Sequence, residues 1–530
     1  MTEKNFSTHS PEQKWDAIVI GSGMGGLASA AMLSQLGKRV LVLEQHYVPG
    51  GFTHTFERPV PGTRPKQRWQ WDVGVHAVGE TSERTMLGRV LAKLSGHALE
   101  WSSLGPVYDA FTFPGDFHID FPDSREQFSA NLVAAFPGEA RAIARYFSEV
   151  KEVGAAMRGY YLSRLAPPRW APVVDRTLAR RAHHFLNQRT GDVLARITPN
   201  EKLRTVLAAQ WGYYGSPPSR SSFAIHALVA KHFMFGAAYP RGGSKRIADT
   251  LMQTIAQGGG WTRISSSVEE IIVRKGRAVG VRLRAGEEIC APTIISAAGG
   301  ITTTTLLPAP ERTKAWASSI SALAPSSAHL CLNLGFKGPI AGAGVSAANQ
   351  WFYESWSSAA EAWDVGDPTS EAPILYTSFP SLKDPEHRGD IHTGEIVTFV
   401  PYEAFARWAN ERWMKRGDDY DTLKAEISER LLTQFFRHRP ALKDKLAYHE
   451  LSTPLSTAHF TRAPRGAIYG IEPTPARYGN RYLRPRTPLP GLYLAGSDMA
   501  SVGVMGAFVG GVLAAVSAQP RASFSYLRGL

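Results

Sequence analysis

From Ile20 to Leu27 the chain reads Ile-Gly-Ser-Gly-Met-Gly-Gly-Leu, and eighteen residues after Gly26 stands Glu44. Glycines at this spacing do chemistry through what they lack. Gly21 and Gly23 permit a tight turn and let backbone N–H groups reach a pyrophosphate, with Ser22 between them. Gly26 lets a following helix pack closely on the preceding strand, and Gly25 is a further candidate cofactor-binding residue. A carboxylate at Glu44, followed by Gln45, accepts hydrogen bonds from ribose hydroxyls and repels a 2′-phosphate. The elements that must hold these residues are legible around them. Asp16–Ile20 is an apolar run ending in glycine, which predicts a short buried strand. Met24–Leu36 is rich in Ala and Leu and predicts a helix whose N-terminus faces an anion. Gly37 stops it, and Val40–Leu43 predicts the second strand. The pattern binds an ADP moiety and fits FAD and NAD equally.

Further along lie the residues for the rest of such a ligand. Pro49-Gly50-Gly51-Phe52-Thr53-His54-Thr55-Phe56 places adjacent glycines shortly after the ribose acid, allowing a second close backbone approach. A long, extended FAD needs that element and a nicotinamide dehydrogenase does not. A hydrophilic loop, Arg58–Arg68, leads to Trp71-Asp72-Val73-Gly74-Val75-His76. Gly242-Gly243-Ser244 precedes a helical run, Lys245–Ala256, and Gly258–Gly260 reads as a helix-to-strand turn. From Val268 the sequence alternates as a β-meander. Its last strand, Thr293–Ala297, ends at small residues, Ala298 and Gly299, where a strand can lie against a cofactor. Gly491–Asp498 repeats strand, glycine and acid. Gly496 is followed by Asp498, whose carboxylate can accept from a sugar-like hydroxyl. Met499–Ala518 then carries no charge for twenty residues. That length suits a membrane span. Its glycines and serines dilute the hydrophobicity, so a buried helix pressed on the cofactor, glycines inward, is the expectation.

The whole chain has 530 residues, 43% of them hydrophobic and 20% charged, which fits a globular protein of two or three domains, or one with insertions. Two cysteines, Cys290 and Cys331, exclude a disulfide framework and a cysteine-rich metal site, so no metal is expected. The first fourteen residues are polar and lack a signal-peptide core, and a cytoplasmic setting is the expectation. The formal charge of +13 is concentrated: Lys151–Asn200 holds nine Lys/Arg against three Asp/Glu. There, arginines stand beside Tyr160, Tyr161, Leu162, Leu165, Trp170 and Phe185. That mixture suits a membrane interface, the other reading being a solvated helical face. No nucleic-acid-binding signature occurs, and nucleic acid is not an expected partner.

On these residues the chain resembles the carotenoid desaturase and isomerase branch of the FAD-dependent amine-oxidase-type flavoproteins, and within it the retinol saturases. The resemblance runs from about Trp15 to about Gln519. It is carried by GGFTHTF at Gly50–Phe56, DVGVHAVG at Asp72–Gly79, YPRGGS at Tyr239–Ser244, STPLS at Ser452–Ser456, APRGAIYG at Ala463–Gly470 and GLYLAGSD at Gly491–Asp498. It implies an α/β fold with non-covalent FAD. A Rossmann-type FAD-binding domain is assembled from separated segments, 15–110, 236–305 and 476–520. An α+β substrate domain, 306–475, is inserted, with a helical lid or membrane-facing region, 111–235, and tails at 1–14 and 521–530. The resemblance further implies that Gly21, Gly23 and Gly26 hold the pyrophosphate and Glu44 the adenosine ribose. Gly50 and Gly51 approach the flavin side, and Val268 pairs with adenine through its backbone. Asp498 binds the ribityl chain, with Val504 and Met505 near the isoalloxazine. The chain departs from the saturase pattern at Phe52-Thr53 and at His459, which bears on the substrate more than on the cofactor.

Saturating one double bond of a polyene takes a hydride from flavin N5 and a proton from a nearby group. His76, Tyr239, His459 and Tyr469 are the candidate donors because they lie in or near the motifs. His76 also suits a role holding the flavin loop, and Tyr239 suits packing beside the Gly242-Gly243 turn. Tyr213 and Tyr214 suit a tunnel wall. No second GxGxxG occurs, so NADPH binds transiently or another donor supplies the electrons. The expected function is an oxidoreductase that reduces a carbon–carbon double bond of an apolar conjugated substrate at a membrane surface. A carotenoid desaturase or a cis-trans isomerase on the same scaffold is the alternative. A flavin-free lipid escort, like the guanine-nucleotide dissociation inhibitors, is disfavoured by the intact Glu44 and Asp498.

Overall fold

The computed structural model describes residues 5–356 and 362–529. Its nucleotide half is a parallel sheet in the spatial order Phe6–Ser7, Trp261–Arg263, Val40–Leu43, Ala17–Ile20, Ile294–Ser296, Leu492–Leu494. Successive side chains of a strand point to opposite faces, and the apolar runs divide accordingly. Ala17, Val19, Val40 and Val42 pack against the helices Met24–Gln35, Lys245–Gln257 and Gly503–Ala518. Ile18, Ile20, Leu41 and Leu43 pack on the other face with the meander Val268–Arg274, Arg277–Leu283, Glu288–Cys290. Both faces are covered, which is why these strands read as unbroken apolar runs rather than alternating ones. The Phe6–Ser7 strand lies within the segment expected to be a polar tail. It is short and pairs only at the sheet edge.

The second sheet has seven strands, in the order Leu446–Ser452, Ala328–Lys337, Ile391–Val400, Ile374–Ser378, Asn349–Tyr353, Val107–Phe113, Phe117–Pro122. All its pairs are antiparallel except Asn349–Tyr353 with Val107–Phe113. Residue 110, the expected edge of the first nucleotide segment, therefore falls inside a strand of this sheet. The hairpin Thr55–Pro59/Arg68–Asp72 fastens the double-glycine loop to it. Trp69 and Trp71, two residues apart and so on one face, are both buried. Their indole N–H groups donate to the carbonyls of Phe336 and Leu334 at 3.2 and 2.8 Å.

Above this sheet lies the helical region around Ala140–Arg164, which buries Ile143, Phe147, Val150, Val153, Met157 and Tyr160 at three- and four-residue spacing. It packs on Phe223–His232 and Arg180–Leu186. Asp175 ties it to the last nucleotide segment. Its carboxylate is 2.6 Å from the buried Arg164 guanidinium and 3.0 Å from that of Arg484. Arg164 is thus an internal cation, and the basic surface expected for 151–200 loses that one charge. Around it Leu162, Trp170, Val173 and Leu178 are each more than half exposed. Where 521–530 was expected to be a tail, Pro520–Arg528 is a helix, because Phe524 and Leu527 recur at helical spacing. Among the described residues no helix is long and apolar enough to cross a membrane.

Candidate active site

One cavity of about 1170 Å³ joins the two halves. Gly21, Gly23, Gly25, Glu44, Gln45, Gly51, Phe52, Thr53, Val268, Ala298, Gly299, Gly496, Asp498, Val504 and Met505 all line it. Ser22, Gly26 and Gly50 stand one layer behind. Ser22 donates to Glu44 Oε2 from its backbone N–H at 2.9 Å and its hydroxyl at 2.7 Å, and the same hydroxyl accepts from the Gly50 N–H at 3.0 Å. One serine therefore couples both glycine turns to the acid. Gly26 has a steric reason: a Cβ there would stand 2.0 Å from the Gly21 carbonyl oxygen. Glu44 Oε1 accepts from the His46 N–H at 2.8 Å. Asp498 accepts from the Gly300 and Ile471 N–H groups at 2.7 and 2.9 Å, so it also pins the loops on either side of it.

The residues present fit a dinucleotide. At Gly23, Gly496 and Gly503, all on the cavity wall, an added Cβ would meet nothing within 4 Å, so bare backbone faces open space where a ligand can approach. The first turns of Met24–Gln35 and Gly503–Ala518 line the same space and present unpaired N–H groups to anions. The glycines of the latter helix are divided in use. Gly503 and Gly506 line the cavity. Gly510 and Gly511 do not; they were expected against the cofactor. Their missing Cβ atoms instead make room for the backbone oxygens of Gly496 and Gly25. The helix is thus seated by close backbone contact with its neighbours.

Of the four candidate proton donors, His76 and Tyr469 line the cavity and Tyr239 and His459 do not. Tyr239 is buried beside Gly243 and gives its phenol proton to Asp72 Oδ2 at 2.5 Å. His459 sits on the helix Pro454–Thr461 and stacks on Trp413, ring centroids 5.2 Å apart. Tyr213 lines the cavity as expected, whereas Tyr214 lies behind it, fully buried near His226. Burial pushes the Tyr469 phenol up, away from ionisation.

Behind His76 lies a cluster of charges that the motifs did not single out. Its Nδ1 is 2.8 Å from Oε2 of Glu395, whose side chain is 0% exposed. The oxygen lies off the ring N–H axis, so the contact is electrostatic rather than an aligned hydrogen bond. Glu395 Oε1 accepts from the Asp72 N–H at 3.1 Å. Lys383 Nζ donates to the His76 carbonyl at 2.7 Å, to Ser378 Oγ at 2.6 Å and to Asn349 Oδ1. Asn349 in turn donates to Asp109, which also accepts from Tyr213 and Gln210. Burial, then the nearby Glu395, raises Asp72 to about 6; burial alone is the main cause that raises Asp109 to about 6. Burial also lowers Lys383 to about 8. A glutamate inside the strand Ile-His-Thr-Gly-Glu-Ile-Val-Thr-Phe-Val was the available signal for Glu395, because an unpaired acid in an apolar run is costly.

Farther along the wall, Glu80 receives Lys231 at 2.6 Å and His232 at 3.3 Å. Burial works to raise the Glu80 carboxyl, but His232 and Lys231 outweigh it and hold the group at about 2. From there the lining turns apolar, with Met86, Val90, Leu162, Leu165, Val512 and Phe524.

Known proteins fit this geometry. The family model for flavin containing amine oxidoreductases matches residues 24–518. The chain belongs to that family. It is 33% identical to the all-trans-retinol 13,14-reductase of Danio rerio, over 96% of this chain and 86% of that protein. It is 26% identical to a chloroplastic prolycopene isomerase of an Oncidium hybrid cultivar, over 95% of this chain and 83% of the relative. Among solved structures it resembles the cyclohexylamine oxidase of Brevibacterium oxydans, with a TM-score of 0.61 at 17% identity, covering 98% of this chain and 99% of that one. As a member of the flavin family, in the branch of the retinol reductases and prolycopene isomerases, the chain is an FAD-dependent oxidoreductase. Its α/β architecture is that of amine-oxidase-like FAD folds.

Proposed function

We propose that this flavoenzyme reduces one carbon–carbon double bond of a long, apolar, conjugated substrate of the retinoid, carotenoid or polyene kind. The observation that carries the reading is the single cavity. It begins at a dinucleotide cradle and continues into an apolar channel between the helices Met86–Leu94, Ala140–Arg164, Gly503–Ala518 and Pro520–Arg528. The retinol reductases and prolycopene isomerases among its relatives support the same substrate class.

Bound FAD supplies two-electron hydride chemistry at its flavin ring. The chain's own residues do the rest. Gly21, Gly23, Gly25 and the helix end at Met24 bind the pyrophosphate, and Glu44, held by Ser22 and His46, accepts from the ribose. Gly51, Phe52, Gly496, Asp498, Val504 and Met505 enclose the flavin end. The apolar wall excludes water and aligns the polyene, and His76 stands where a proton can be handed over. NADPH, binding transiently, or another two-electron donor recharges the enzyme. Leu162, Trp170, Val173 and Leu178, exposed among arginines beside the channel, suit a membrane surface from which an apolar substrate enters.

The test reduces the holoenzyme chemically without oxygen and adds retinol, a carotenoid or a polyunsaturated acyl compound. Flavin reoxidation with a product two hydrogens heavier is expected. Isomerisation without net redox change would reassign the enzyme as an isomerase. Reduction of the oxidised enzyme by substrate would make it a desaturase and overturn the reading.

A further inference from the structure

Glu395, on the strand Ile391–Val400 of the substrate sheet, packs behind His76, and no motif marks it. A wholly buried carboxylate needs a compensating charge or hydrogen bonds for both oxygens. Its Oε1 has the Asp72 N–H. Among the described residues, its Oε2 has only His76 Nδ1 nearby, at 2.8 Å. The groups that face the His76 imidazole from the surrounding elements are few. Asp72 precedes it on the hairpin, and Lys383 grips its carbonyl from the short helix Pro380–Lys383. His329 on Ala328–Lys337 and Tyr376 on Ile374–Ser378 lie close, the Tyr376 ring centroid at 5.3 Å, and His329 Nδ1 has no partner among the described residues. Lys383 answers one carboxylate of the cluster, which leaves negative charge directed at the imidazole. The other ring nitrogen, Nε2, has no protein partner among the described residues, and the ring lines the cavity.

We propose that Glu395 is a positioning residue that keeps His76 in its doubly protonated form, with Nε2–H toward the cavity as the proton donor of the reduction. This deepens the double-bond reduction proposed above and rests on it. In that step the π bond breaks and two C–H bonds form. One carbon takes the hydride and its electron pair, which come ultimately from a reduced nicotinamide or an equivalent two-electron donor. The adjacent carbon takes the proton from His76 Nε2. His76 is left neutral beside Glu395 and recovers its proton from solvent through the cavity. A buried carboxylate this close to an imidazole stabilises the cationic ring electrostatically.

The experiment uses the FAD-loaded full chain as wild type, E395Q and H76Q, with E395D as a conservative variant. Gln keeps an acceptor for the Asp72 N–H, so folding and flavin content are expected to match wild type. Nitrogen NMR of labelled histidine, assigned with H76Q, reads the ring without turnover: the doubly protonated signature is expected in wild type and E395D and at least tenfold depleted at the same pH in E395Q. In single turnovers with chemically reduced enzyme, product formation in E395Q and H76Q is expected to fall by about 10²-fold or more. The alkaline limb of the E395Q rate profile is expected to move to lower pH. A His76 signal and pH profile unchanged in E395Q would overturn the proposal. If wild type forms no product two hydrogens heavier, the reaction reading fails by itself, while the NMR comparison still decides whether Glu395 governs the His76 charge.

Discussion

Ser22 and Glu44 are joined twice, by a backbone N–H at 2.9 Å and a hydroxyl at 2.7 Å to the same carboxylate oxygen. The acid proposed to face the ribose is thus also the acceptor that shapes the first glycine turn. Glu44→Arg is expected to abolish FAD retention, leaving a colourless protein after purification. It also strands the buried Ser22 and His46 donors, at about 1–3 kcal/mol each. Flavin release on denaturation measures occupancy, and full occupancy in the variant would defeat the assignment.

Gly26 is a sharper probe of the same turn. Because a Cβ there meets the Gly21 oxygen at 2.0 Å, Gly26→Ala must push the helix Met24–Gln35 off the strand. An overpacking cost of about 1–3 kcal/mol is expected, with weakened FAD binding. Gly23→Ala, whose methyl meets no protein atom within 4 Å, is expected to keep the apo-protein's stability and lose affinity for FAD. Thermal unfolding with and without FAD separates the two effects, and equal apo-stability losses would refute the distinction.

Membrane binding is expected through the surface holding Leu162, Trp170, Val173 and Leu178. Sedimentation with anionic vesicles should be strong at low salt and weaken as salt rises, since the Debye length is only about 8 Å at physiological ionic strength. Trp170→Ser with Leu178→Ser should release the protein even at low salt, each side chain contributing up to about 1.5–3 kcal/mol when buried. Failure of the wild-type chain to bind such vesicles leaves the solvated-face reading standing.

Lys383 gives a pH signature. Burial, opposed by Glu395, Asp72 and Asp109, lowers it from 10.5 to about 8. Between those values the unfolded chain holds a proton that the folded chain has released. Stability therefore rises with pH across that window, by up to about 1.4 kcal/mol per pH unit from this group. Lys383→Met should lack this contribution. Urea unfolding from neutral pH to about pH 10 measures it, and parallel curves for the two proteins would count against it.

The nucleotide half was legible because its determinants are local. Val40–Leu43 and the turn at Gly258 fell where periodicity and glycine placed them. The Pro520–Arg528 helix was missed because its short amphipathic run was taken for a tail. The proton-donor candidates were sorted only by tertiary structure. Tyr239 and His459 lie in or near motifs, yet Asp72 holds one and Trp413 the other away from the cavity. Glu395 lies 319 positions from His76 in sequence and belongs to no motif, so only the pairing of Ile391–Val400 within the large sheet brings them together.

The order of strands in the parallel sheet has a consequence for how the chain acquires its shape. Ala17–Ile20 is flanked by Ile294–Ser296, which is flanked by Leu492–Leu494, so adjacent strands are separated by hundreds of residues. During synthesis the N-terminal strand–turn–helix must wait, its apolar face covered only in part by Lys245–Gln257, until Gly503–Ala518 emerges to complete the cover. Such non-local closure slows folding and lengthens the exposure of aggregation-prone surface. The last helices of the chain are therefore the clasp of the whole assembly, and a ribosome that stalls shortly before them releases a chain with every early element made and no closed domain.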